Sequence, residues 1–270
     1  MNPEWVGGVF DAAHHEFAHW SARLWRPLGE ITAAVARPAP GERVLDACCG
    51  AGASAIPAAV AVGGGDEGGT VDAVDVSGSL LELGRREAAE RGLDRIRFTR
   101  ADVLGWRGGP YDLVQCCYGV FFFPDMDAGT RRLLGLLRPG GRLAVSTWLR
   151  DGMARLVPIG RAAALPERPE LAESAGQPDP SARVNTPERL RDWLGSLGLR
   201  DVEVHEVRFE QPLHPDDAWT FLLNAAMRGF VAGLDEPALD RVRTRFLDGL
   251  RGAGIDTLDA SSLVGVGRVS

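Results

Sequence analysis

Two hydrophobic periods alternate along the first half of the chain. Short apolar, often β-branched runs occupy Arg43–Cys48, Val71–Val76, Ile96–Thr99, Asp112–Cys117 and Arg142–Trp148, and each reads as a strand. Between them lie segments of helical spacing. Ala53–Val62 is rich in alanine, Ser79–Arg91 carries Leu80, Leu81, Leu83, Ala88 and Ala89, and Thr130–Leu137 carries Leu133, Leu134, Leu136 and Leu137. Strands alternating with helices predict an α/β fold with a largely parallel sheet covered on both faces. Gly63–Gly69 (GGGDEGG) reads as a surface connection, and Arg138–Gly141 (RPGG) as a turn.

The flanks follow a looser pattern. Phe10–Leu28 places Phe10, Phe17, Trp20, Leu24 and Trp25 at mostly helical spacings and should end at Pro27 and Gly29. A second short helix is expected over Glu30–Ala36, both lying as a cap over the carboxyl edge of the sheet. After Trp148, Leu149–Val184 is rich in Pro, Ala and Arg and reads as a partly helical lid. Thr186 and Pro187 supply an N-cap and first helical position for a helix running to Gly198. Val202–Phe209 alternates like an edge strand, Asp216–Leu250 is mostly helical, and Ser262–Val269 is a last strand. The expected organisation is a cap over 1–40, a core over 41–150, a lid over 151–185 and the end of the core sheet over 186–270. A helical insertion is expected at 215–252.

Composition narrows the class. The 270 residues are 45% hydrophobic and 25% charged, with a formal net charge of -7 and a pI near 5.3. That acidic balance offers no electrostatic footprint for nucleic acid or for an anionic membrane surface. Every basic residue other than histidine is Arg, which argues against Schiff-base chemistry. The N-terminus lacks the basic and apolar regions of a secretory signal, and no apolar run is long enough for a membrane span. The four cysteines form two adjacent pairs, Cys48–Cys49 and Cys116–Cys117, unlike a disulfide framework or a CxxC site. They read as reduced, buried thiols, and the expected compartment is the cytoplasm.

Candidate chemistry collects at strand ends. Gly50-Ala51-Gly52 follows the first strand and precedes a helix, the opening unit of a nucleotide-binding sheet. Asp75 ends the second strand 23 residues after Gly52, close to the roughly 20 expected for an acid that holds ribose hydroxyls. Asp102 stands where a carboxylate can accept from an exocyclic purine amine. Phe121, Phe122 and Phe123 either pack in the core or floor a pocket. A rival reading comes from His15-Glu16-Phe17-Ala18-His19, which matches HExxH, the two-histidine zinc motif of metal hydrolases. Its third ligand would have to be Glu30, beyond the break expected at Pro27, so no metal is expected. His205 and His214 read as ordinary strand-end or loop residues.

These motifs together resemble the class I S-adenosylmethionine-dependent methyltransferases, most closely the small-molecule branch related to ubiquinone/menaquinone biosynthesis methyltransferases. VLDACCGAG is similar to the first motif, VDAVDVS to the second, RADV to the third, YDLVQCCYGVFFFPD to the fourth and LLRPGGRLAVSTW to the fifth. TPERLRDWLGSLGLRDVEV resembles the usual late helix and sixth strand. The likeness implies a Rossmann-like seven-stranded sheet in the order 3-2-1-4-5-7-6 with the last strand antiparallel. It implies S-adenosylmethionine as cofactor, S-adenosylhomocysteine as product, and cofactor contacts from Asp46, Cys48, Gly50, Gly52, Asp75, Val76, Asp102, Val103, Cys117 and Tyr118. Cys48 departs from the pattern, because a glycine usually stands there.

Methyl transfer from a sulfonium is an in-line displacement, for which alignment contributes on the order of 7–11 kcal/mol and a base about 10²–10⁴-fold. His15, His19 and Tyr118 are the candidates for proton transfer or substrate orientation, and Phe17, Trp20, Phe122 and Trp148 for the substrate pocket. An apolar or aromatic metabolite of specialised or antibiotic metabolism is the expected substrate. A peptide acceptor, a cofactor-binding protein that does not methylate, and the zinc hydrolase are the alternatives. The acceptor atom stays open, and so does a homodimer.

Overall fold

Strand side chains divide between two buried layers with the period of two that a doubly covered sheet requires. Val44, Leu113 and Ala144 pack in one layer, and their neighbours Leu45, Val114 and Val145 in the other. A computed structural model describes residues 3–63, 68–150, 152–153, 155–173 and 179–270. Part of the expected GGGDEGG connection and part of the expected lid lie outside the described residues.

Three helices precede the sheet: α1 (Pro3–Ala12), α2 (His14–Trp20) and α3 (Arg26–Ala36). The core follows as β1 (Arg43–Ala47), α4 (Ala55–Val62), β2 (Thr70–Asp75), α5 (Gly78–Glu90), β3 (Ile96–Arg100), β4 (Tyr111–Cys117), α6 (Met126–Leu134) and β5 (Leu137–Trp148). The remainder comprises α7 (Leu156–Ala164), α8 (Pro187–Ser196), β6 (Arg200–Val207), β7 (Glu210–Pro212), α9 (Pro215–Leu222), α10 (Glu236–Gly252), β8 (Thr257–Asp259) and β9 (Ser262–Arg268). The main sheet runs β3-β2-β1-β4-β5-β9-β6, with β1 to β5 parallel and β9 antiparallel to both its neighbours. This is the expected order, with β9 as the seventh strand. The β7–β8 ribbon is an addition, its strands too short at three residues each to show a period. No described helix is long and apolar enough to cross a membrane.

Three expectations are corrected. First, the helix does not break at Pro27. A π turn over Ser21–Trp25 joins α2 to α3, and the Arg26 amide reaches back to the Ser21 carbonyl. Pro27 then falls at the start of α3, where a missing N–H costs little. Second, α3 lies on a sheet face against β4 and β5, beside α4, and is no part of a cap over the carboxyl edge. Gly29 permits this: a Cβ there would lie 2.3 Å from the Ala53 carbonyl. Arg142 locks the arrangement from β5, donating to the carbonyls of Ala36 and Arg37 and pairing with Glu42 at 2.7 Å. Third, Arg138–Gly141 lies inside β5 as a bulge, since Tyr111 pairs with Leu137 while Leu113 already pairs with Arg142. The preceding helix, α6, starts earlier than its leucine pattern indicates, at Met126, because Asp125 caps it through the Ala128 amide.

Candidate active site

Chain order reverses between β1 and β4, and a crevice at the carboxyl ends of such neighbours is where open α/β sheets bind ligands. A cavity of about 660 Å³ opens there. Its two lips are conformationally unusual. After β1, Cys48 and Gly50 take φ of 58° and 53°, and after β4, Tyr118 takes φ of 54°. A positive φ is easy for glycine and costly for side chains with a Cβ, so backbone strain is concentrated at this crevice. It also gives a reason for glycine being usual at the Cys48 position. The lips touch: a Cβ on residue 119 would lie 2.6 Å from Cys116 Sγ and 2.7 Å from Cys48 Cβ. Contact with the Cys116 thiol and burial both push the Cys48 thiol well above its ordinary pKa.

At the end of β2, Asp75 binds the two neighbouring loops together. Its Oδ2 accepts from the Gly50 amide and its Oδ1 from the Ser77 amide, each at 2.8 Å. Burial raises this carboxyl above the usual range against those hydrogen bonds. Asp102 caps the short turn Val103–Gly105 through the Leu104 amide at 2.9 Å. Helix α1 roofs this end, with Val6 and Phe10 lining the cavity. Asp11 fastens it, its Oδ1 accepting from the Ser77 hydroxyl at 2.7 Å and the Ser79 amide at 2.9 Å.

The other end is aromatic. Phe17 and Trp25 stack at 5.0 Å with planes 6° apart, and Tyr118 and Trp148 stack at 4.2 Å with planes 26° apart. Trp25 stands 6.3 Å from both Tyr118 and Trp148, so the two pairs form one wall. Phe121, Phe122 and Phe123 all line the cavity while Phe121 and Phe123 also pack into the core, so both readings of the triplet apply.

Cys48, Gly50, Asp75, Val76, Asp102, Val103, Cys117, Tyr118, Phe17, Phe122 and Trp148 line the cavity. Asp46, Gly52, Trp20, His15 and His19 do not. Asp46 is fully buried behind the wall, where its Oδ2 accepts from Ser54 Oγ at 2.7 Å and Gln115 Nε2 at 2.8 Å. Burial drives its pKa up to about 7. Gly52 turns toward β3, where a Cβ would meet Phe98 at 2.9 Å. Trp20 is fully buried edge-on against Phe221 and donates to Thr220 Oγ1 at 3.2 Å. His15 is exposed and lies on the His14 ring, while His19 faces Asp217 at 3.5 Å on the surface. Glu16, the base of the HExxH reading, is paired with Arg228 at 3.2 Å. Among the described residues no three His, Cys, Asp or Glu side chains converge as metal ligands. Asn224, which also lines the cavity, carried no sequence signal: it is one polar residue inside an apolar helical run.

Residues 9–154 match the profile of the ubiE/COQ5 methyltransferase family. The match covers more than half of the chain. The chain belongs to this family. It is 34% identical over 144 residues to aklanonic acid methyltransferase DauC of Streptomyces sp. strain C5, covering 53% of this chain and 64% of that one. It is 35% identical over 142 residues to demethylmenaquinone methyltransferase of Clavibacter sepedonicus, covering 52% and 54%, and 34% identical over 143 residues to nocamycin O-methyltransferase of Saccharothrix syringae, covering 52% and 48%. The matches thus span about half to two thirds of the length of these curated relatives. Among solved structures, the YcgJ protein of Bacillus subtilis shares the fold with a TM-score of 0.58 at 14% identity, covering 90% of this chain and 98% of that one. The [4+2]-cyclase SpnF does so with a TM-score of 0.54 at 19% identity, covering 90% and 80%.

Proposed function

We propose that the chain transfers a methyl group from S-adenosylmethionine to a small, flat, largely apolar acceptor. The observation that carries this reading is a single cavity with a carboxylate-bearing end under α1 and an aromatic end between Phe17 and Trp148. The donor set fits the cofactor. Each Asp75 oxygen spends one lone pair on a backbone amide and keeps another, so a pair of vicinal hydroxyls can be accepted together. Val76 and Val103 offer apolar surface for a purine, with Asp102 beside them, and the backbone at Gly50, Cys48 and Cys117 completes the slot.

What S-adenosylmethionine supplies when bound is an electrophilic methyl on a positively charged sulfur. The chain's part is alignment and exclusion of water. The Tyr118–Trp148 stack lines the cavity, and its aromatic surface would attract a positively charged sulfur by about 0.5–2 kcal/mol. No histidine is among the described residues lining the cavity, and the Tyr118 hydroxyl is committed to Ser262. An acceptor that arrives already nucleophilic suits such a site. The curated relatives named for aklanonic acid and for demethylmenaquinone support a small-molecule acceptor.

Titration calorimetry with S-adenosylhomocysteine tests the reading. The wild-type chain is expected to bind, and Asp75→Ala to bind at least ten-fold more weakly. Absence of binding by the wild-type chain would sink it.

A further inference from the structure

We infer that Asn224 is a substrate-orienting donor that takes a carbonyl or carboxylate oxygen of the acceptor molecule; this rests on the proposed methyl-transfer reading of the cavity. Asn224 sits in the cavity wall just after α9 and is 1% exposed. Its orientation is fixed by Trp25, whose Nε1 lies 3.2 Å from Asn224 Oδ1. An indole nitrogen only donates, so the amide atom facing it must be the oxygen. The NH₂ group is therefore the free half of the carboxamide, and Nδ2 is buried without a hydrogen-bond partner among the described residues.

Folded chains seldom leave a buried donor unmet, because doing so forfeits its hydration with nothing in return. Here the unmet donor belongs to a group oriented by one hydrogen bond from Trp25. Trp25 is held by its stack on Phe17 and stands against Tyr118 and Trp148, so the amide is fixed at the margin of the aromatic wall. A flat molecule lying on that wall meets apolar surface across its face, and a small shift of the segment after α9 uncovers one N–H donor, sealed in the free chain, at its edge. Such a site favours a ring system bearing an oxygen acceptor and discriminates against the matching hydrocarbon, which leaves the donor unpaired. The donor accepts no proton in this role; it fixes which edge of the ring system faces the cofactor end.

The test uses matched probes in the presence of saturating S-adenosylhomocysteine: 2-acetylnaphthalene, 2-naphthoate and 2-ethylnaphthalene, titrated into wild type, Asn224→Ala and Asn224→Asp. Asn224→Ala is expected to bind at least one oxygen-bearing probe about ten-fold more weakly and the hydrocarbon less than two-fold more weakly. The oxygen probe that loses more identifies ketone or carboxylate as the preferred group. Asn224→Asp, nearly isosteric, is expected to reject 2-naphthoate most strongly. Equal losses on all three probes would reduce Asn224 to a structural residue and overturn the inference. So would unchanged affinities, or no probe bound by the wild-type chain at millimolar concentration. Binding of S-adenosylhomocysteine to the wild-type chain is measured first. Its absence sinks the methyl-transfer reading, whereas its presence with oxygen-blind probes sinks the assignment of Asn224 alone.

Discussion

The Tyr118 hydroxyl donates a hydrogen bond to Ser262 Oγ, 144 residues further along the chain, across 2.7 Å. The Ser262 hydroxyl donates in turn to the Ala260 carbonyl at 2.8 Å, so the chain of donors ends on backbone. Burial pushes the Tyr118 phenol well above its ordinary pKa. The ring belongs to the cavity and the hydroxyl is an anchor on β9. Tyr118→Phe is therefore expected to keep methyl-transfer turnover within about five-fold, with an unshifted pH–rate profile, where loss of a general base would cost about 10²–10⁴-fold. A drop of that size with normal S-adenosylhomocysteine binding would return Tyr118 to the role of base.

Asp46 makes stability depend on pH. Its pKa rises from 3.8 to about 7 on folding because burial outweighs the hydrogen bonds from Ser54 and Gln115. The folded chain therefore holds a proton that the unfolded chain releases between those values. The favourable contribution is complete below about pH 4 and is lost as the pH climbs through 7, up to about 4 kcal/mol across the window. Asp46→Asn can keep both hydrogen bonds on its one oxygen and removes the titration. Relative to wild type, its melting temperature should rise from pH 5 to pH 8; a constant difference would contradict the buried, titrating carboxyl.

Gly119 and Cys48 should be coupled. A methyl at 119 would collide with Cys48 Cβ and Cys116 Sγ, so Gly119→Ala is expected to cost about 1–3 kcal/mol. Cys48→Gly removes one of the two colliding groups and the positive-φ penalty together. In denaturant titration the double variant should recover part of the Gly119→Ala loss, and strict additivity of the two changes would refute the contact.

Asp11 should govern cofactor exchange. Its bonds to Ser77 and Ser79 fasten α1 over the Val76–Ser79 turn, and Gly7 brings the helix so close that a Cβ would lie 3.3 Å from the Val76 carbonyl. Asp11→Ala is expected to speed S-adenosylhomocysteine dissociation about three- to ten-fold in stopped-flow measurements while leaving the association rate nearly unchanged. Unchanged dissociation would mean that these two bonds do not hold the roof.

Strands β1 and β4 were legible because a doubly covered sheet makes their apolar runs nearly continuous, β2 and β3 through partial alternation, and the place of Asp75 in the cavity wall through its distance from the glycine loop. Rotation about helix axes was not. Trp20 and Trp25 share one helical pattern, yet Trp20 is sealed in the core and Trp25 stands in the cavity wall. The π turn at Ser21–Trp25 lies between these rings, and spacing at 3.6 residues per turn cannot register it. Asp46 and Gly52 carried the right motif but face Ser54, Gln115 and Phe98, partners that only the folded chain brings near. Asn224 depends wholly on Trp25, 199 residues away.

The β7–β8 ribbon is a clasp. Glu210 pairs with Asp259 and Pro212 with Thr257, and the Leu213 amide reaches the Asp256 carbonyl at 2.8 Å. The stretch between them, which carries Asn224, Phe221 and Met227 to the cavity, thus departs and returns at one spot. Its length and composition can drift in evolution while β6 and β9 keep their pairing. One strip of the cavity wall is modular, able to be re-cut without disturbing the sheet, and the end under α1 is left as it was.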